Sequence, residues 1–243
     1  KQLVMSATYR QSSVVSKKQL EKDPDNILLS HAPRIRLTAE GVRDLALASS
    51  GLLVKEIGGP SMKVYQPNGI WESSTSGRGV LARYVQDHGD KLYRRGLYSF
   101  IKRTVPPPGM LIMDGSNRDQ CEVKRGVTNT PLQALLLLNE PLMLEASRVL
   151  AERLMLEKST EEEKIKKAFL LIVCRESKKE EFDLLTAYFK AEKEKFQLSP
   201  QKAKQYLEAG EYPHQKINDT ISLAALMQVI QTIYNMDEAI TKT

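Results

Sequence analysis

The sequence contains few of the residues that hold disulfide-linked or metal-bound folds together. Its 243 residues include only two cysteines, Cys121 and Cys174, and three histidines. Two cysteines cannot build a framework of disulfides, and neither CxxC nor CxxCH occurs. The sequence therefore excludes covalent haem attachment and a zinc site of this type, and we expect no metal and no cofactor in this chain.

Long apolar runs and targeting signals are also missing. No stretch of about 18 apolar residues occurs, so the sequence predicts no membrane span in this fragment. No signal peptide is visible, but the chain opens with Lys-Gln-Leu-Val-Met-Ser and has no initiator methionine. We interpret it as a fragment of a longer protein whose targeting signal would lie upstream.

The composition that is present favours helices. Aromatic residues make up only 6% of the chain, whereas Leu, Ala, Lys and Glu are plentiful and 41% of residues are hydrophobic. These are good helix formers, and their number is sufficient for a real core. We expect a mainly α fold, in which a loop-rich N-terminal half (1–129) packs on a helical bundle (130–243) as one continuous structural unit.

Helix-start signals are dense after residue 129. Thr130 is followed by Pro131 and Gln133, a complete capping box, and further starts are predicted at Asn139, at Ser159-Thr160 and at three later positions. The later starts are at Ser177, Ser199-Pro200 and Asn218. Five to six helices joined by short links predict a bundle or an array of helical hairpins.

The N-terminal half has weaker signals. Thr38 as cap and Gly51 at the end predict one helix, and Asp23-Pro24 predicts a second, short one. Residues 54–90, which include IGGPSMKVYQPNG and STSGRG, are rich in Gly, Pro, Ser and Asn. We expect them to be irregular, with one short strand pair.

The positive charge is concentrated in one region. Residues 91–125 hold eight basic and three acidic side chains, which accounts for +5 of the chain's net charge of +6. Such a patch favours an anionic partner, although runs of Lys and Arg also commonly form a solvated face.

The segment from Tyr93 to Cys121, YRRGLYSFIKRTVPPPGMLIMDGSNRDQC, is the candidate functional centre. Its proline triplet, Pro106–Pro108, predicts an extended, rigid rod that holds the flanking polar groups apart. The predicted ligand-binding residues are those of this segment and of the basic residue that follows: Arg94, Arg95, Lys102, Arg103, Asp114, Asn117, Arg118 and Arg125.

Two interpretations of these residues remain open. Arginines beside aromatic faces suit carboxylate, sulfate or phosphate groups, because a guanidinium donates two parallel hydrogen bonds. The same arginines can instead form internal salt bridges with Asp114, Asp119 and Glu122, and so tie down an irregular coil.

Catalytic signals are weak. Cys121 lies near cations that could stabilise a thiolate, but a nucleophilic cysteine needs a base, and His31, His88 and His214 have no recognisable catalytic context. His88 is the nearest of these in sequence. No GxSxG, HExxH, P-loop or GxGxxG in its strand and helix context occurs, so catalytic residues remain unknown.

Long blocks of the sequence resemble a known family. The blocks, spread over essentially the whole chain, are SATYRQSS (6–13), DPDNILL (23–29), GGPS (58–61), YQPNGIW (65–71), LYRRGLYSFIKRTVPPPGM (92–110) and NRDQCEVKRGVTNTPLQALLLLNEP (117–141). They resemble the planctomycete-type domain of unknown function DUF1553, the C-terminal part of large exported proteins that commonly carry a planctomycete-type cytochrome c domain. Ile101 stands where relatives often have an aromatic residue.

The resemblance implies an extracytoplasmic setting, in the periplasm or at the cell surface, with the upstream domains of the same polypeptide as partners. It implies no catalytic residues. Two hypotheses follow: a non-catalytic binding or scaffold module that presents its cationic site to an anionic ligand, such as an acidic glycan, or to a partner domain; or part of an enzyme completed by the upstream domain, with Asp114, Arg118, Cys121 and His88 as candidates.

One structural observation would separate these hypotheses. A convergent pocket with a perturbed carboxylate or thiol would favour the enzyme, whereas arginines consumed by internal salt bridges would favour the scaffold. Nucleic acid suits the positive patch, but export and the scarcity of aromatic residues argue against it, so we expect none.

Overall fold

Helices dominate the structure, which is a computed structural model that describes residues 1–74 and 82–242. The N-terminal half contains the helices α1 (Gln2–Met5), α2 (Lys17–Lys22), α3 (Ala39–Ser50), α4 (Ile70–Ser73) and α5 (Pro108–Ile112). The C-terminal half contains α6 (Pro131–Asn139), α7 (Pro141–Met155), α8 (Glu161–Val173), α9 (Lys179–Leu198), α10 (Pro200–Leu207), α11 (Thr220–Tyr234) and α12 (Asp237–Ile240). The prediction of a mainly α fold, with a loop-rich half packed on a helical bundle, is confirmed.

Helix α11 lies at the centre of the C-terminal half. Its sequence, TISLAALMQVIQTIY, is apolar on almost every side, and such a helix must be surrounded by other elements. It packs against α7 and α9 most extensively, and also against α8 and α10. Helices α8 and α9 expose most of their charged residues, whereas α7 buries Glu145, Arg148 and Glu152.

Helix α3 joins the two halves. It packs against α7, where Ala46 and Leu47 share one buried core with Leu150. The guanidinium of Arg153 on α7 donates hydrogen bonds to the carbonyl oxygens of Ser49 (3.2 Å) and Ser50 (2.5 Å), which are the unpaired carbonyls at the end of α3. The N-terminal half is thereby fixed to the bundle through both apolar and polar contacts.

The local caps explain most of the helix starts. Thr38 accepts the Gly41 N–H, Gly51 ends the same helix with φ +85°, and Thr130 forms the predicted capping box with Gln133. Thr160 forms another capping box, as expected. Three starts lie one residue later than predicted, because Glu140, Lys178 and Asp219 occupy the caps instead of Asn139, Ser177 and Asn218.

The prediction of a short helix after Asp23-Pro24 is wrong, because this segment forms turns. Asp23 follows the end of α2, and its carboxylate accepts the backbone N–H groups of Ile27 and Leu28, both at 2.8 Å. This side chain competes with the helical hydrogen bonds of the segment and folds it into turns instead.

Residues 54–90 are irregular where they are described, as expected, whereas residues 75–81, which include most of STSGRG, lie outside the described residues. Val54 and Met62 form isolated bridges to Arg94 and Ser99. The strand pair was expected here, but the one that the described chain contains is β1 (Ile35–Arg36), antiparallel to β2 (Thr241–Lys242).

The proline triplet forms a shorter rod than predicted. Pro107 is extended, with φ −56° and ψ 121°, but Pro108 already begins α5. Proline suits the first position of a helix because its missing N–H would be unpaired there in any case. The triplet therefore ends in a helical turn that faces α3 and α6.

Candidate functional site

A cleft opens where α5 meets α3 and the corner between α6 and α7. Its inner chamber is a cavity of about 50 Å³ with mostly apolar walls, in which Arg43, Tyr65, Ser99 and Glu140 are the polar lining residues. Its outer chamber, of about 370 Å³, is walled chiefly by prolines and aliphatic side chains: Pro67, Pro108, Ile112, Leu136 and Pro141. Tyr65, Gly109, Leu136 and Glu140 line both chambers, so the two form one cleft with a polar deep end.

Arg43 is a buried cation at the deep end. It is only 8% exposed, and its Nη2 donates to the Leu92 carbonyl oxygen at 2.5 Å. Its Nε has no hydrogen-bond partner in the described part of the chain, and no carboxylate there lies within 4.0 Å of its guanidinium. Burial lowers the pKa of Arg43 despite the nearby charges of Glu140 and Asp44.

Ser99 and Gln66 add further buried polar atoms without partners. Ser99 is 8% exposed and lines the inner chamber, and its hydroxyl oxygen is buried. The side-chain nitrogen of Gln66 is buried in the wall of the outer chamber. Neither atom has a hydrogen-bond partner among the described residues. Buried polar groups are nearly always paired in native proteins, so unpaired atoms on three residues of one cleft are unusual.

Glu140 stands at the junction of the two chambers. It ends α6 and caps α7 in an extended conformation that Pro141 enforces on the residue before it. The side chain is partly buried, and burial raises the pKa of Glu140 although the Arg43 charge opposes the shift. A carboxyl group of this kind in a cleft is a candidate for ligand binding or proton transfer.

A fully buried carboxylate lies behind Tyr65. Glu145 on α7 accepts hydrogen bonds from the hydroxyls of Tyr65 (3.1 Å) and Tyr93 (3.0 Å). It also accepts the N–H groups of Glu211 and Tyr212, both at 2.7 Å. Burial, with the adjacent Glu145 charge, raises the pKa of both tyrosines. The network positions Tyr65 at the wall of the cleft.

Three of the predicted arginines form hydrogen bonds or salt bridges with other parts of the same chain. Arg94 is 4% exposed, donates to the carbonyls of Gly58 and Pro60, and lies over the Tyr98 ring with 4.0 Å to its centroid. Arg95 pairs with Asp44 (3.2 Å) and Arg125 with Glu40 (2.7 Å), both on α3. Internal pairing was one of the two interpretations, but Arg94 pairs with carbonyls, and the carboxylate partners of Arg95 and Arg125 belong to α3 instead of being Asp114, Asp119 or Glu122.

The other predicted binding residues lie on the loops around α5. The Lys102 ammonium lies over the Trp71 ring, with 4.3 Å to its centroid. Asn117 accepts the Asp119 N–H in a local turn, whereas Arg103 and Arg118 are exposed. None of these four lines either chamber, and no contact among the described residues tests whether they bind a ligand, so that role stays a prediction.

The candidate catalytic residues are not brought to the cleft. Asp114 accepts hydrogen bonds from the Thr128 N–H and hydroxyl, both at 2.8 Å, and so closes the loop before α6. His88 pairs with Glu211 at 2.6 Å, and Cys121 is an exposed, free thiol. Neither these three nor Arg118 lines either chamber of the cleft.

The segment singled out in the sequence does reach the cleft, but through different residues. One wall of the inner chamber is formed by Ser99, Pro107, Gly109, Met110 and Met113. Pro108 lines the outer chamber. Sequence reasoning missed Arg43, Glu140 and Glu145. The available signal was a charged residue inside an otherwise apolar helical stretch, as in VRDLALA and NEPLMLEA.

The described residues include neither a membrane-spanning helix nor a cluster of metal ligands. None of the described helices is both long and apolar enough to cross a membrane. Within residues 1–74 and 82–242, no group of three or more His, Cys, Asp or Glu side chains is arranged to hold a metal ion.

Comparisons with known proteins give a family but no activity. Residues 1–189 match the profile of the family described as PSD1, protein of unknown function (DUF1553). Searches of curated proteins and of solved structures found no match. The match spans α1 to most of α9 and therefore includes every residue that lines the cleft.

Proposed function

Because the chain belongs to the DUF1553 family, whose description names no activity, we propose from the geometry that it is a non-catalytic binding module and that the two-chambered cleft is its ligand site. The single observation behind this proposal is that Arg43 and Ser99, each with a buried polar atom that has no partner among the described residues, line the same small cavity.

The energetic argument concerns the cost of unpaired groups. A buried donor without a partner costs about 1–3 kcal/mol, and a charged donor costs more. Two such donors at one cavity, with a third from Gln66 in the outer chamber, would be retained at a measurable loss of stability if nothing bound there. An occupant that accepts hydrogen bonds removes that cost.

In this proposal the cationic segment positions the site. Arg94, Arg95 and Arg125 tie the loops around α5 to residues 58–60 and to α3, and those loops supply one wall of the cleft. The anionic ligand expected from the sequence, an acidic glycan or a group on a partner domain, would then enter between α5 and the corner before α7. The extracytoplasmic setting and the upstream domains remain predictions of the family resemblance.

A second candidate function rests on Glu140. A convergent cleft with a perturbed carboxylate was the observation expected to favour an enzyme, and burial raises the pKa of Glu140 in just such a cleft. Tyr65 lines the same two chambers. In an enzyme, Glu140 would act as a general acid, and the rest of the active site would come from an upstream domain.

A fragment screen with a matched pair of blocked variants tests the binding proposal. Leu136 lines both chambers, whereas Leu135, its neighbour on α6, is 57% exposed. We expect fragments to bind the wild-type chain and Leu135→Trp, but not Leu136→Trp, in ligand-observed NMR. Circular dichroism of all three proteins confirms that they are folded.

The proposal is wrong if no fragment binds the wild-type chain, or if Leu136→Trp binds as well as Leu135→Trp. Turnover would separate the two candidate functions. A fragment that the wild-type chain converts, and that Glu140→Gln binds without conversion, would favour the enzyme.

A further inference from the structure

The deep end of the cleft holds buried polar groups that have no partner among the described residues. The Nε–H of Arg43 and the hydroxyl of Ser99 are buried there and have no partner in the described chain. Nη2 of Arg43 is already engaged by the Leu92 carbonyl, so the guanidinium is held in place where Arg43 lines the chamber. A group that accepts two or more hydrogen bonds fits this arrangement.

Charge narrows the class of ligand. Arg43 is a guanidinium that is more than nine-tenths buried and has no carboxylate within 4.0 Å among the described residues. A buried charge is costly unless an opposite charge and hydrogen bonds compensate it. An anion at this position would supply both.

Size and wall chemistry narrow it further. The inner chamber, of about 50 Å³, is much the smaller of the two and suits a small head group. Behind that group, a ligand would pass into the outer chamber of about 370 Å³, between Pro67, Pro108, Ile112 and Pro141. These walls offer apolar surface to the remainder of the ligand.

We propose that the cleft binds a carboxylate attached to an apolar body, with the carboxylate held by Arg43 and Ser99 in the inner chamber and the body in the outer chamber. This inference rests on the proposed function, because it names the ligand class of the same cleft. A small apolar acid and the C-terminal carboxylate of a polypeptide share this chemistry.

Glu140 makes this binding depend on pH. A second carboxylate beside the ligand would repel it unless one of the two carries a proton, in which case Glu140 donates a third hydrogen bond. The charged and titratable groups around Glu140 are Arg43 from α3, Glu145 from α7 and Tyr65 from the loop between α3 and α4. The residues of α5 and α6 that line the cleft are uncharged. Binding should therefore take up a proton and weaken as pH rises.

A series with one body and four head groups tests the ligand class. We expect hexanoate to bind about tenfold more tightly than hexanamide, 1-hexanol and hexylamine, since the anion alone pairs with Arg43. Ser99→Ala should weaken hexanoate binding about fivefold, which corresponds to one lost hydrogen bond. Leu136→Trp should abolish it, and Leu135→Trp should not.

The pH dependence gives an independent readout. Hexanoate affinity should fall across a rising pH range in the wild-type chain, because loss of the Glu140 proton removes the donated hydrogen bond and adds charge repulsion. In Glu140→Gln, which donates through its amide at every pH, the affinity should stay constant over the same range. A wild-type affinity that does not change with pH would remove the role given to Glu140.

Two further ligands distinguish the sources of the carboxylate. A short N-acetylated leucine peptide is compared with a free and with an amidated C-terminus, and binding of the free form alone would support a polypeptide C-terminus. Glucuronate tests the apolar body. Binding of glucuronate without hexanoate would overturn that part of the inference in favour of an acidic sugar.

The remaining outcomes separate this inference from the proposed function. If hexylamine or hexanol binds as tightly as hexanoate, and Leu136→Trp abolishes that binding, the cleft is a ligand site but the carboxylate inference is wrong. If no compound in the series and no screened fragment binds, both fail together.

Discussion

The hydroxyl of Tyr93 donates a hydrogen bond of 3.0 Å to the carboxylate of Glu145, although 52 residues separate them in the sequence. Glu145 is fully buried, and the bond joins the loop before α5 to the first turns of α7. The same carboxylate receives the hydroxyl of Tyr65 at the wall of the cleft. The structure of the cleft thus depends on a charge that itself has no access to solvent.

Tyr93→Phe tests the strength of this connection. A hydrogen bond to a charged group contributes about 1.5–3 kcal/mol, and we expect a loss of the free energy of unfolding near the lower end because Glu145 keeps three other donors. Urea denaturation measures the loss. Tyr9→Phe, an exposed tyrosine on the N-terminal loop, serves as the control and should change stability by less than about 0.5 kcal/mol.

Two glycines with the same backbone conformation provide a matched pair. Gly210 has φ +82° and Gly58 has φ +86°, but a methyl group on Gly210 would overlap the Glu145 carboxyl, whereas nothing lies within 4 Å of one on Gly58. We expect Gly58→Ala to cost only the left-handed conformation, about 1 kcal/mol. Gly210→Ala should cost at least about 2 kcal/mol more, as buried clashes do. Equal losses in urea denaturation would contradict the position of Gly210 against Glu145.

Arg94 and Arg103 should behave differently although both belong to the basic segment. Arg94 is buried on the carbonyls of Gly58 and Pro60, so we expect Arg94→Ala to lower the free energy of unfolding by about 2 kcal/mol through lost hydrogen bonds and packing. Arg103 is exposed, and Arg103→Ala should change it by less than about 0.5 kcal/mol. A smaller loss for Arg94→Ala than for Arg103→Ala in thermal denaturation would argue that Arg94 serves a ligand and not the fold.

A salt bridge at the start of α9 predicts a pH dependence. The hydrogen bonds from Arg175 lower the pKa of Glu181 to about 2 from its usual 4.5. Because the folded-state pKa is the lower one, the stabilisation is complete above pH 4.5 and disappears as the pH falls towards 2. The pair is partly exposed, so we expect about 1 kcal/mol at neutral pH.

The comparison of two glutamines measures this effect. Glu181→Gln should be less stable than the wild-type chain at pH 7, and the difference should vanish near pH 2. Glu180→Gln, at an exposed neighbour in the same helical turn, should match the wild-type chain throughout. A stability difference for Glu181→Gln that persists unchanged at pH 2 would exclude the carboxylate as its source.

The reactivity of the two thiols tests whether one position in the N-terminal loops and one position in the bundle are exposed to solvent. Cys121 and Cys174 are both exposed and free. The folded protein should therefore react with two equivalents of a thiol reagent such as Ellman's reagent, without denaturant, since access controls the rate. Reaction of one equivalent or none would show that a thiol is covered or paired.

The sequence by itself determined the features that depend on neighbours along the chain. Thr38, Thr130 and Thr160 cap their helices through bonds to residues three positions on, so residue type and spacing were enough to find them. The amount of apolar surface and the choice of helix formers likewise decided the mainly α class. Errors appeared where a side chain had a competing local bond, as at Asp23.

Only the tertiary structure decided which charges meet. Arg43 and Glu140 lie almost one hundred positions apart, and Arg125 pairs with Glu40 across 85 positions, so no local pattern could connect them. The sequence marked the segment around the prolines as functional, but packing chose its apolar and hydroxyl side chains for the cleft and used its arginines as anchors. The physical reason is that a buried charge pairs with a group that the fold brings close to it in space. The distance between two residues in the fold is unrelated to their separation along the chain.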